Sequence, residues 1–214
     1  MKKQVLLALF FVCIYSFQIK AQETHRKAEG FGIEVGVGCN TMNIKLRSLS
    51  RTDSSVSLTH LWMQPCLRLH YDVVLTKIGN TGRLNLKPFI GYYTFGGKVK
   101  PDASGYTEIL SFSSIEAGAG ITYDIKNLFQ ITPLIKGQYI IAASERFIRD
   151  VSVPSADLKN TTQTFSANAG LQIRFKYHRF TAGAEAWLGL TDFNKSKGST
   201  YKENNYRVLI GYEF

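Results

Sequence analysis

The chain has 214 residues, 44% of them hydrophobic and 20% charged, and its 26 Lys and Arg against 16 Asp and Glu give a formal net charge of +10. That length suits one domain of a β protein. After the first residues no apolar run approaches the about 20 residues a spanning helix needs, and the basic excess comes without a basic helix or stacking platform, so neither a helical membrane protein nor a nucleic-acid binder is expected.

Lys2 and Lys3, an apolar run from Val5 to Phe17 and then Lys20-Ala21-Gln22 form the three regions of a secretory signal, with cleavage expected after Ala21. Phe11 and Val12 before Cys13, and Ile14 and Tyr15 after it, lack the small residues and polar follow-on of a lipoprotein anchor. Loss of Lys2, Lys3 and Lys20 leaves 23 basic residues against 16 acidic ones, a net +7. Residues 22–30 are polar and aperiodic and read as a short periplasmic leader; residues 31–214 read as the folded domain.

From Phe31 onward the repeat is two, that of a strand with different surroundings on its two faces. The first run sets Phe31, Ile33, Val35, Val37 and Cys39 against Gly32, Glu34, Gly36, Gly38 and Asn40. The second sets Leu67, Leu69, Tyr71 and Val73 against Gln64, Cys66, Arg68, His70 and Asp72, and the third Leu84, Leu86, Ile90 and Tyr92 against Asn85, Lys87, Phe89 and Tyr93. Ile115, Ala117, Ala119, Ile121 and Tyr123 then oppose Glu116, Gly118, Gly120, Thr122 and Asp124; Ile131, Ile135, Tyr139 and Ile141 oppose Gln130, Thr132, Lys136 and Gln138. The sixth run opposes Phe165 to Tyr177 in odd positions to Ser166, Asn168, Gln172, Arg174 and Lys176, and the seventh Ala182, Ala184, Ala186 and Leu188 to Glu185 and Trp187. The eighth sets Tyr206, Val208, Ile210, Tyr212 and Phe214 against Arg207, Leu209, Gly211 and Glu213.

Connections alternate too. Long polar stretches follow the odd runs (45–58, 95–109, 143–163, 191–204), and short turns follow the even ones at Lys77–Gly82, Lys126-Asn127 and His178-Arg179. Long loops outside and short turns inside are the signature of an all-β, eight-stranded antiparallel transmembrane up-and-down barrel. Pro65, Pro88 and Pro133 fall inside runs although each removes a ladder hydrogen bond, so bulges are expected there and the register beyond them stays open.

Soluble barrels alternate as well, and the placement of charge separates the two cases. No Asp, Glu, Lys or Arg lies on the apolar face. The other face collects Glu34, Asp72, Glu116, Asp124, Glu185 and Glu213 with Arg68, Lys87, Lys136, Arg174, Lys176 and Arg207. A charge at the bilayer midplane costs about 2–4 kcal/mol, which explains that exclusion. Aromatic residues gather at the two ends of the apolar face: Phe31, Tyr71, Tyr123, Phe129, Phe175, Tyr177, Phe180, Tyr212 and Phe214 on the turn side, and Tyr92, Tyr139, Phe165 and Tyr206 on the loop side.

The ending Tyr206-Arg-Val-Leu-Ile-Gly-Tyr-Glu-Phe214 resembles the carboxy-terminal strand read by outer-membrane assembly machinery in Gram-negative bacteria. With Lys87-Pro-Phe-Ile-Gly-Tyr-Tyr93 and Ile115-Glu-Ala-Gly-Ala-Gly-Ile-Thr-Tyr-Asp124, and the Ala21-Gln22 processing site, the chain resembles the small outer-membrane β-barrel domain family common in Bacteroidetes. The resemblance implies the fold, an outer-membrane location and Tyr206, Val208, Ile210, Tyr212 and Phe214 as the assembly signal, and it carries no catalytic residues.

Parity puts Cys39 outside and Cys66 inside, against a disulfide between them. His70 and Asp72 share the inner face, where a polar network accounts for them better than catalysis or metal binding; no cofactor is expected. The inner charges of an eight-stranded barrel, whose interior is just wide enough for side chains, are expected to pair and close the lumen. Three functions follow. One is a surface scaffold, a monomer, whose loops with Arg47, Arg51, Lys98, Lys100, Arg146, Arg149, Lys195, Lys197 and Lys202 bind lipopolysaccharide or a partner. The others are a narrow conduit for ions or small solutes, and a lipid-modifying enzyme hinted at only by His60 near Ser57 and Thr59.

Overall fold

In a computed structural model the described residues are 29–46, 54–79, 82–98, 107–148, 156–157, 165–192 and 199–214. They form strands β1 (Glu29–Leu46), β2 (Ser54–Ile78), β3 (Gly82–Lys98), β4 (Thr107–Ile125), β5 (Phe129–Ile148), β6 (Ala156–Asp157), β7 (Phe165–Tyr177), β8 (Phe180–Gly189) and β9 (Ser199–Glu213). Eight of them make the wall, each antiparallel to the next, and β1 closes the circle on β9 from Gly32 opposite Glu213 to Leu46 opposite Ser199. The ninth, β6, is a two-residue strand on the upper edge of β5. No helix among the described residues is long and apolar enough to cross a membrane.

Short connections enforce this meander. Lys126 and Asn127 take φ of 55° and 56°, with the Leu128 amide donating to the Ile125 carbonyl at 3.0 Å; His178 takes 54° between the paired Tyr177 and Phe180. Positive φ in tight hairpins follows the right-handed twist of the strands they join.

Alternation survives the prolines. Pro65 stays opposite Val37, Pro88 opposite Ala119 and Pro133 opposite Leu171, while on the other side the ladder ends at Cys66 beside Pro65 and skips Pro88 and Pro133. A missing N–H costs one ladder and not the register. Register shifts fall instead at Glu29/Phe31, Gly38/Asn40, Val74/Thr76 and Ser113/Ser114.

Two expectations need correction. β1 begins at Glu29 and not at Phe31, so the end of the presumed leader belongs to the wall. The long stretches are shorter than read: β3 runs to Lys98, β4 starts at Thr107, β5 continues to Ile148 and β9 starts at Ser199. The reason is an inversion of polarity. Beyond Tyr92 the period of two persists, and in β5 it resumes after a one-residue shift at Ile141 and Ala142, but Phe95, Leu110, Phe112, Ile140 and Ala143 point inward while Ser111 and Ser113 point outward. Phe95 and Phe112 stack at 4.9 Å in an apolar cluster inside the loop-side end.

Inner glycines make room for large neighbours. A Cβ on Gly170 would lie 2.7 Å from the Trp187 ring opposite it and 2.7 Å from the Ala186 carbonyl. Gly170→Ala is therefore expected to cost about 1–3 kcal/mol by overpacking. A lower urea midpoint, with altered emission from Trp187 in a Trp62→Phe background, is the measurement.

Candidate functional site

All twelve predicted inner charges face the lumen, and all but Lys176 are buried. Strand parity aims them inward, and pairing across the wall brings them together in two linked groups.

The turn-side group centres on Arg174 of β7. Its Nη1 lies 2.9 Å from Glu34, its Nη2 lies 3.4 Å from Asp72 and 3.1 Å from Glu213, and its Nε donates to Gln130 at 2.7 Å. Lys87 reaches Glu34 at 3.1 Å and Gln172 at 3.1 Å, Lys176 pairs with Glu213, and Gln130 donates to Asp124 at 3.0 Å. The central group is built on Glu116, which receives both Arg207 nitrogens at 2.7 and 2.8 Å and Lys136 at 2.6 Å.

Arg68 joins the two groups. It grips Glu185 with two hydrogen bonds of 2.8 and 2.9 Å, touches Glu116 at 3.2 Å, and reaches Glu34 at 3.4 Å. Two-pronged guanidinium–carboxylate contacts of this kind combine strength with fixed geometry. Aromatic faces line the same space: Arg68 lies 4.4 Å from the Phe89 centroid, Arg207 3.7 Å from Tyr93, and Lys136 4.5 Å from Trp187. Such faces attract cations most where water is excluded.

Glu203 and Asn205 escape the sequence reading. Asn205 accepts from Arg207 Nε at 3.0 Å and donates to Glu203 at 3.1 Å, and both residues are buried. They share the inward parity of Arg207, but Glu203 falls in the stretch read as loop and Asn205 just before the start of the eighth run. That parity is the signal that finds them.

His70, Asp72 and Glu213 bring potential metal ligands within 4.8 Å of one another. Arg174 already reaches all three, with Nη1 3.3 Å from His70 Nε2, so the guanidinium supplies the positive charge a metal would bring. Cys39 is exposed on the outer wall and Cys66 is buried inside, on opposite faces as parity requires. The signal segment, the side chains of Ser57, Thr59 and His60, and the loop cations except Lys202 lie outside the residues whose side chains are described. Lys202 is exposed in β9. Tyr206, Val208 and Ile210 are exposed on the outer face of β9, with Tyr212 partly covered, and Phe214 is exposed just past its end.

No protein-family model and no curated protein matches the chain. Solved structures do. Ail, the attachment invasion locus protein of Yersinia pestis, in complex with the heparin analogue sucrose octasulfate, is 15% identical with a TM-score of 0.45, over 87% of this chain and 99% of that one. Neisserial surface protein A is 13% identical with a TM-score of 0.49, over 88% and 100%. The outer membrane protease OmpT of Escherichia coli is 8% identical with a TM-score of 0.40, over 89% and 98%. The closed antiparallel barrel is established by the chain's own strand pairing.

Proposed function

We propose that this chain is an integral outer-membrane barrel that serves as a surface scaffold, its lumen closed by paired charges and its loops left to bind lipopolysaccharide or a partner. The observation that carries this reading is the opposed polarity of the wall: Ile90, Ile135, Leu188, Val208 and Ile210 are exposed outside while Glu34, Arg68, Glu116, Glu185 and Arg207 are buried inside. In water so much exposed apolar surface would be an aggregation hazard. In lipid it is the solvated face.

The outer band has the right height. From Tyr206 to Phe214, at about 3.4 Å per residue and a tilt of about 40°, the apolar wall rises roughly 20 Å, close to the band of membrane barrels. At its upper edge Tyr92, Ile115, Tyr139 and Phe165 lie in register across four strands. At its lower edge Phe180, Tyr212, Phe214 and Phe31 form a chain of ring contacts of 5.2–5.8 Å. In this reading the outward row Tyr206 to Phe214 is the assembly signal and the chain is a scaffold without a reaction of its own.

Detergent-purified protein is expected to run faster on gels unheated than heated, and refolded protein in planar bilayers to show no large stable ion steps. An unheated band that fails to shift would remove the barrel. Porin-like steps would replace the closed scaffold with the conduit.

A further inference from the structure

The turn-side rim repeats one chemical pattern in each of its three short connections. Exposed Lys77 adjoins Ile78, which is 45% exposed; exposed Lys126 precedes Leu128, 44% exposed; exposed Arg179 precedes Phe180, 65% exposed. The acids described at this end, Asp72, Asp124 and Glu213, are buried inside the barrel. The rim therefore presents cations without exposed acids among its described side chains.

Two of these connections keep side chains where the backbone would favour glycine. Lys126 and His178 hold φ of 55° and 54°, a region that costs a non-glycine residue roughly 1 kcal/mol or more and that glycine would occupy freely. Arg179 also donates to the Tyr212 hydroxyl at 3.3 Å, and Tyr212 packs on Phe180. This cation is thus fixed at the level of the lower aromatic girdle.

We propose that this rim binds anionic phospholipid headgroups of the inner leaflet, a reading that rests on the membrane location proposed above. The pairing of charge with exposed apolar surface selects this partner. A lipid headgroup region offers phosphate beside hydrocarbon at one height, so a cation and its apolar neighbour are satisfied together. A polysaccharide or an acidic protein surface meets the cations but gives Ile78, Leu128 and Phe180 no hydrocarbon layer to enter.

The full chain folded into phosphatidylcholine vesicles, with and without phosphatidylglycerol, tests this. Basic residues near an anionic surface strengthen attachment about fivefold each, so at fixed urea the folded-to-unfolded ratio is expected to rise at least about tenfold with phosphatidylglycerol. High salt should erase the gain. The Lys77→Gln, Lys126→Gln, Arg179→Gln variant should lose it too; because the readout is the difference between the two vesicles, a general loss of stability leaves the result readable. An unchanged ratio in the wild type, or a gain retained by the variant, overturns the proposal. Co-sedimentation with purified peptidoglycan without a phosphatidylglycerol gain also overturns it and gives the rim to the cell wall. Failure to reach the heat-shifted form in either vesicle is a different result and removes the membrane location itself.

Discussion

Replacing Arg68 with alanine is expected to destabilise the barrel by about 3–5 kcal/mol, the cost of removing one partner from a buried, hydrogen-bonded ion pair. The loss falls mainly on Glu185. Glu116 keeps Arg207 and Lys136, and Glu34 keeps Lys87 and Arg174, whereas Glu185 keeps only the longer 3.3 Å contact with Arg207 among its described ion pairs. Adding Glu185→Gln to Arg68→Ala should therefore recover part of the stability, and the cycle measures their coupling. Urea midpoints of vesicle-folded protein supply the numbers. A cost near zero would mean that water reaches these charges, and would favour a wet, narrow conduit over a closed lumen.

The two halves of this site differ in how readable they are from sequence. That Arg68, Glu116 and Glu185 point inward follows from parity, since each sits between outward apolar neighbours such as Leu67 and Leu69. That Arg68 grips Glu185, 117 positions away, does not follow. The partner depends on how far successive strands are staggered around the closed wall, and alternation carries no stagger information. Cross-strand neighbours such as Asp124 and Gln130 are closer to legible, because the short turn at Lys126-Asn127 fixes their pairing once both strands are placed.

The missed upper wall has a different cause. A search for apolar residues facing outward ends where the outward apolar band ends. Leu110, Ser111, Phe112 and Ser113 still alternate, but with the apolar residues inside, as in a barrel standing in water. Reading the period separately from the sign of the exposed face recovers β3 to Lys98 and the start of β4 at Thr107. Glu203 and Asn205 follow from the same rule, continued upward from Arg207. The prolines err in the other direction: a lost N–H looks like a break in register, yet a strand with two neighbours keeps its place through the ladder that remains.

Ile135→Arg is expected to cost about 2–4 kcal/mol in vesicle-folded protein, because the new charge enters the wall near the middle of the apolar band. Ile135 is 66% exposed, lies between Ala119 and Ala169 on neighbouring strands, and sits between Phe129 at the lower girdle and Tyr139 at the upper one. No packed core is disturbed by its replacement. In a barrel standing in water the same change would stay within about 0.5 kcal/mol, as exposed substitutions do. Depth supplies the internal control: Tyr177→Arg, at the lower girdle, should cost only about 0–1 kcal/mol, since a charge there reaches the headgroups. Urea midpoints of the two variants against wild type give the comparison. A steep difference follows only if hydrocarbon surrounds Ile135, whereas two small and equal values would return the outer wall to water and make the buried charges the core of a soluble protein.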